Sequence, residues 1–249
     1  MSETKPRSLV DEYLAEKEAD GKIREDNVLF ATDLTRECIT NSYYNITIDT
    51  PPSKNLLRVF MSGTLVEDFW VDDVLRNNKE IKIIGTQLPA RYTDPIEGFS
   101  IHGRIDALVL NKDGYLEVRE VKSAKTCAWL TSPKKDHVEQ ISFYLSTLGI
   151  DRGQIDMIDK TIMLLGEDQS NQREDRPPDI SFPIQRNEKI FEEIIQRARV
   201  LHRALKDKVP PPKTVCWLCN GQNRERKIYC EYKELCDGQT KLDAPPVSS

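Results

Sequence analysis

The chain has 249 residues, 38% hydrophobic and 31% charged, enough for one well-buried domain with an accessory piece and too short for two large independent domains. Its net charge of -5 at pH 7 argues against a general nucleic-acid coat, so any DNA contact must use a local basic patch. No apolar run approaches the roughly 20 residues that a membrane helix needs.

Residues 1–27 mix Lys, Arg, Asp and Glu around Leu9, Val10, Tyr13 and Leu14, and read as a charged helical extension (helix over 8–19) rather than a secretory leader. The expectation is a soluble, cytoplasmic protein with no membrane partner. In that reducing environment the six cysteines are expected as metal ligands or buried thiols, not disulfides.

A second helix is expected from Asp33 to Tyr44, with Thr32 or Asp33 as N-cap. A third, from Ser53 to about Asn77, carries Leu56, Leu57, Phe60, Met61 and Leu65 at helical spacing. From Lys79 to Val121 the apolar period becomes strand-like through IKIIGTQL, FSIHGRIDALVL and YLEVREVKS, which read as the core sheet. A helix from about Lys134 to Leu148 follows, then an apolar strand from Lys160 to Leu165 and a polar, proline-bearing loop from Glu167 to Asp179. The next helix runs from Glu188 to about Lys208 behind Asn187 as its cap, and Pro210, Pro211 and Pro212 stop it. Beyond lie a cysteine-rich segment, 215–238, and a tail, 239–249, expected to be disordered.

Side chains alternate along a strand, so Leu116, Val118, Glu120 and Lys122 share one face, which is apolar and then turns charged. If Lys112, Asp113 and Gly114 form a three-residue hairpin loop with Gly114 left-handed, Leu110 faces Leu116. The same register then sets Asp106 opposite Glu120. Two carboxylates that close resist joint ionisation unless a cation lies between them. Oxygen ligands suit Mg2+ or Mn2+, which can lower the pKa of a bound water and stabilise charge on a phosphate, with Lys122 orienting or helping to deprotonate that water. The plainer alternative is a surface hairpin whose charges form solvated ion pairs.

Gly103 and Asp106 form G-x-x-D, Glu120-Val121-Lys122 is E-x-K, and Gln140 and Tyr144 form Q-x-x-x-Y on one helical face. In that order the motifs resemble the RecB-like branch of the PD-(D/E)XK nucleases, whose fold is an α/β mixed sheet flanked by helices. The resemblance implies catalytic roles for Asp106, Glu120, Lys122, Gln140 and Tyr144, and a metal site formed by Asp106, Glu120 and the Val121 carbonyl. That branch usually carries a histidine in a preceding G-x-x-x-H helix. Here Gly63 is followed four residues later by Glu67, a carboxylate able to replace it as a ligand or simply an exposed helix residue.

Cys216, Cys219, Cys230 and Cys236 are spaced C-x2-C-x10-C-x5-C, dense enough for either zinc or an iron-sulfur cluster. With Cys38, in a segment followed by Tyr43 and Tyr44, the set resembles the CRISPR-associated RecB-like iron-sulfur exonucleases, the fourth-numbered Cas protein family, over about residues 28–238. That resemblance implies a cluster, usually 4Fe-4S rather than 2Fe-2S, held by four of the five cysteines and joining N- and C-terminal helical pieces. Cys38, Cys230 and Cys236 are favoured with either Cys216 or Cys219, and a separate zinc knuckle is the alternative. Cys127 reads as structural.

Lys125, Lys134 and Lys135 surround Trp129 beyond the E-x-K strand, which suits phosphate contacts and base stacking along single-stranded DNA, or solvated lysines around a core tryptophan. Arg224, Arg226 and Lys227 form a second basic cluster. The expected function is a metal-dependent exonuclease acting on single-stranded DNA ends, by resemblance in CRISPR spacer acquisition with integrase proteins as partners. A stand-alone or virus-encoded recombination or repair exonuclease, and a DNA-binding iron-sulfur module that no longer cuts, are the alternatives.

Overall fold

The computed structural model describes residues 25–36, 38–48, 52–127, 129–160, 178–213, 230 and 232–242. The expected helix over 8–19, the polar loop, most of the apolar strand at 160–165, Cys216, Cys219 and the cluster Arg224, Arg226, Lys227 lie wholly or largely outside these residues.

Among the described residues a mixed sheet of six strands organises the molecule. β1 (Val28–Phe30) runs parallel to β3 (Ser100–Asn111), and β2 (Ile81–Thr93) lies antiparallel to β3 on its other side. β4 (Leu116–Ala124) is antiparallel to β3 and parallel to β5 (Arg152–Asp159), and β6 (Asp179–Gln185) closes the far edge against β5. Pro89 is tolerated inside β2 because, among the described residues, that strand pairs with β3 alone and is an edge.

Helices cover both faces. α1 (Ala31–Leu34), α2 (Ile39–Thr47), α4 (Lys135–Leu148) and α5 (Glu188–Asp207) contribute to one large core with Val118, Ile155 and Met157 of the sheet. α3 (Lys54–Phe69), capped by the Ser53 side chain, continues as a π-helical turn through Trp70–Leu75. That pair packs a second core on the opposite face, with Val66, Trp70, Val71 and Leu75 against Ala107, Val109, Val121 and Ile158. α6 (Lys233–Leu242) follows near the C-terminus.

Several expectations need correction. The helix expected over Asp33–Tyr44 is two helices interrupted before Cys38, where Asp33 turns its carboxylate back to the Phe30 amide at 3.1 Å. A strand that the pattern does not announce, Arg152–Asp159, lies alongside β4. Asp156 and Asp159 disguise it, because both are buried with polar partners. α6 reaches Leu242, into the stretch expected as a disordered tail.

β2 extends beyond the expected IKIIGTQL to Thr93. Asp94 beyond it is clasped by Arg199 of α5 through two nitrogens at 3.0 and 2.8 Å. Among the described residues no helix is long and apolar enough to cross a membrane.

Candidate active site

The β3–β4 hairpin sets the site. Gly114 is left-handed at φ 82°, its N–H donates to the Asn111 carbonyl at 3.0 Å, and the Asn111 N–H donates to Tyr115 O at 2.9 Å. Leu110 pairs with Leu116, Leu108 with Val118 and Ala107 with Arg119. One step further along this register, Asp106 stands opposite Glu120. There the ladder ends, and the Asp106 carboxylate accepts the Val121 N–H through Oδ2 at 2.6 Å.

Both carboxylates are buried, Asp106 at 8% and Glu120 at 1% exposure. Lys122 Nζ donates to Glu120 Oε1 at 2.6 Å. Glu120 Oε2 is buried and has no hydrogen-bond partner among the described residues. Burial first, then the charges of Glu120 and Glu67, push the Asp106 carboxyl well above the usual carboxylate range. Burial also raises Glu120, opposed by Lys122. For Lys122 burial works downward, but Glu120, Asp106 and Glu67 carry its ammonium above the ordinary lysine value. These three carboxylates favour its ammonium form.

Gly103 and Tyr144 link two of the motifs by direct contact. A Cβ at position 103 would lie 2.4 Å from Tyr144 Cε1, so only glycine lets the ring pass over the strand. Gln140 Nε2 donates to the Tyr144 hydroxyl at 2.8 Å, and the Arg104 backbone N–H also bonds it. Burial of the ring, followed by the charge of Glu120, drives the Tyr144 phenol far upward and keeps it protonated.

Glu67 reaches the same neighbourhood from α3, and its Oε1 accepts Gln87 Nε2 at 2.6 Å. Among the described residues no three His, Cys, Asp or Glu side chains stand together as a ready metal cage. The donors nevertheless fit a hard divalent ion. Two adjacent buried carboxylates, one with an unpartnered oxygen, form an electrostatic conflict that a cation relieves. Mg2+ commonly takes one or two carboxylates and keeps water in its remaining positions. Asp106, Glu120 and the Val121 carbonyl would hold it, with Glu67 beside them.

The remaining expected residues divide. Lys125, Lys134 and Lys135 are exposed, and Trp129 is 82% exposed, which removes the core alternative for that tryptophan. Cys38, Cys230 and Cys236 are buried in one hydrophobic cluster. Asn41 Nδ2 donates to Cys230 Sγ at 3.6 Å, and Tyr44 packs 5.6 Å from Tyr232, so the α2 and α6 regions meet. Cys127 is buried, with its amide on Asp159 and its thiol on the Met157 carbonyl.

Two residues escaped sequence reasoning. His137 lies three residues before Gln140 and seven before Tyr144, a spacing legible in the helix, and its buried Nδ1 has no partner. Burial is the main reason its pKa falls to about 4, with Lys122 and Lys134 adding to the fall and Asp136 opposing it. Gln87 carries no local signal, because its importance comes from a backbone conformation that the sequence does not announce.

A mixed sheet that buries paired carboxylates and a lysine beside a helical Gln-Tyr pair defines an α/β protein of nuclease architecture. Residues 33–237 match the family model of the PD-(D/E)XK nuclease superfamily, and the chain belongs to that superfamily. The solved structure of SSO0001 is similar at 18% identity and a TM-score of 0.56, over 97% of this chain and 99% of that one. An alkaline exonuclease, LHK-Exo from Laribacter hongkongensis, is similar in fold at 13% identity and a TM-score of 0.50, over 80% of this chain and 93% of that one. No curated protein sequence matches the chain.

Proposed function

We propose that the protein is a divalent-metal-dependent DNA exonuclease that degrades single-stranded ends inside the cell. The observation that supports it most is the unpartnered, buried Glu120 Oε2 beside the raised carboxyl of Asp106, within a nuclease superfamily fold. Mg2+ or Mn2+, when bound, would supply a more acidic coordinated water and neutralise phosphate charge. Asp106, Glu120 and the Val121 carbonyl would hold the ion. Lys122 would orient the attacking oxygen, and Gln140 and Tyr144 would bind and orient the substrate. The exposed Trp129 gives a stacking surface, and Lys125, Lys134 and Lys135 supply phosphate contacts. The exonuclease reading draws on the activity named for LHK-Exo.

An iron-sulfur cluster on Cys38, Cys230, Cys236 and one of Cys216 or Cys219 belongs to the same proposal. The three described cysteines share one buried cluster where α2 meets the α6 region, in keeping with a clasp between chain ends. The setting that the motif resemblance suggests is trimming of DNA before integration into a CRISPR array, with integrase proteins as partners. A recombination exonuclease is the second reading, favoured by the fold likeness to the alkaline exonuclease.

End-labelled single-stranded DNA incubated with anaerobically purified protein tests the activity, using Mn2+, Mg2+ or chelator and Glu120→Ala as control. Metal-dependent shortening that disappears in the variant is expected; intact DNA with every metal would leave a binding module. Iron content and the visible absorption of the same sample decide between cluster and zinc.

A further inference from the structure

Gln87 lies inside β2 with φ of 52°, in the left-handed region that non-glycine residues adopt only at an energetic cost. Thr86 pairs with Ala107 and Leu88 with Ile105, so Gln87 stands opposite Asp106 across the β2–β3 ladder. The register shift of β2 falls earlier, between Ile83 and Gly85, and does not account for the strain.

The side chain joins two elements. Nε2 donates to Glu67 Oε1 at 2.6 Å, tying β2 to α3. The reverse orientation would set two acceptors against each other, so the hydrogen bond fixes which way the amide faces. Gln87 Oε1 is then left buried with no partner among the described residues, as is Glu120 Oε2. Glu67 acts electrostatically on both Asp106 and Glu120. Two orphaned acceptors and three carboxylates without a matching set of donors call for a cation and its waters.

We propose that Gln87 is a positioning residue for the metal centre: its left-handed backbone directs the amide to Glu67, keeps that carboxylate beside Asp106 and Glu120, and offers Oε1 to the hydrated cation. This rests on the two-carboxylate metal reading. Gln87 acts through Glu67, so its loss weakens metal binding while leaving the principal ligands in place. Groups that orient metal ligands are commonly worth about 10- to 100-fold in metal affinity.

Glycine at this position relieves the backbone strain while removing the amide. Asparagine tolerates the left-handed backbone but is one methylene too short to reach Glu67 as glutamine does. The test is Mn2+ binding by the metal-stripped full chain, followed by electron paramagnetic resonance and calorimetry, with the metal-free melting temperature measured alongside. Wild type, Gln87→Gly, Gln87→Asn, Glu67→Gln and Glu120→Ala are compared.

Gln87→Gly should keep or raise the melting temperature and weaken Mn2+ about tenfold or more, with Gln87→Asn and Glu67→Gln weakened in the same direction. Mn2+ affinity of Gln87→Gly within twofold of wild type, while Glu120→Ala binds poorly, overturns the role of Gln87 alone. If Gln87→Gly loses affinity only together with melting temperature and Glu67→Gln binds normally, Gln87 holds the fold and the inference fails. If wild type and Glu120→Ala bind alike, the metal centre itself is wrong and Gln87 falls with it.

Discussion

Two buried acidic clusters flank β4, one on each face of the sheet, and they are built in opposite ways. On one face Asp156 is completely buried and fully served. Arg119 grips both its oxygens at 3.0 and 2.8 Å, Trp70 Nε1 donates at 3.1 Å and Ser181 Oγ at 2.6 Å. On the other face Asp106 and Glu120 share little more than the Val121 amide and Lys122, and one Glu120 oxygen has no partner. A buried charge with every lone pair answered holds elements together, whereas one left unanswered stores electrostatic conflict that a ligand can relieve. The first joins β4, β5, β6 and the π-helical turn; the second is the one we propose for metal-dependent chemistry.

Substitutions should separate the two clusters cleanly. The largest effect is expected from Glu120→Ala, with cleavage of single-stranded DNA falling on the order of 10⁴-fold, about 5 kcal/mol of transition-state stabilisation. In the metal-free variant the loss of a conflicted buried charge offsets the loss of the Lys122 partner, so the melting temperature should fall less than in Asp156→Ala; an equal or larger fall would merge the two clusters into one structural class. Asp156→Ala should do the reverse. Leaving the Arg119 guanidinium buried and unpaired costs about 3–5 kcal/mol, measurable by urea unfolding, while the molecules that remain folded keep their activity.

The pH dependence of stability should carry the signature of His137, which shares its surroundings with Lys122, Lys134 and Asp136. Its pKa is depressed from 6.5 to about 4, so between those values the unfolded chain binds the proton and the folded chain does not. Stability therefore falls as pH drops through this window, by up to about 3 kcal/mol. His137→Gln should flatten that part of the curve. Asp106 works with the opposite sign: its raised folded pKa means that the metal-free protein loses stability as pH rises from the ordinary aspartate value toward the folded one. Asp106→Asn or added Mn2+ should remove this second slope.

The smallest effect expected is steric. Gly103→Ala forces a methyl toward Tyr144 and should cost about 2 kcal/mol. Combining it with Tyr144→Leu should recover part of that loss in a double-mutant cycle. Additive losses would mean that the ring does not hold position 103 to glycine.

Much of the site was legible because local rules happen to decide it. The three-residue hairpin with left-handed Gly114 sets the register, and the period of two along β3 and β4 carries Asp106 to its place opposite Glu120. Helical periodicity likewise sets Gln140 and Tyr144 on one face of α4. The fold was less legible where burial reverses ordinary preferences. β5 is hidden in the sequence because Asp156 and Asp159 sit inside it, and partners such as Arg119, Trp70, Ser181 and the Cys127 amide make such a strand tenable. β6 begins and ends with polar residues and carries no clear strand signal either.

The sequence by itself determined the alternation, the turn chemistry and the helical faces, since each depends on neighbours within a few residues. It thereby determined the strand pairing that brings two carboxylates and a lysine to one place. Only the tertiary structure decided the close passage of Tyr144 over Gly103, the exposure of Trp129, the meeting of Cys38 with Cys230 and Cys236, and the strained Gln87 reaching Glu67. Those relations join residues far apart in the chain. They are set by packing and by which polar groups find partners once water is excluded, a balance that no local pattern encodes.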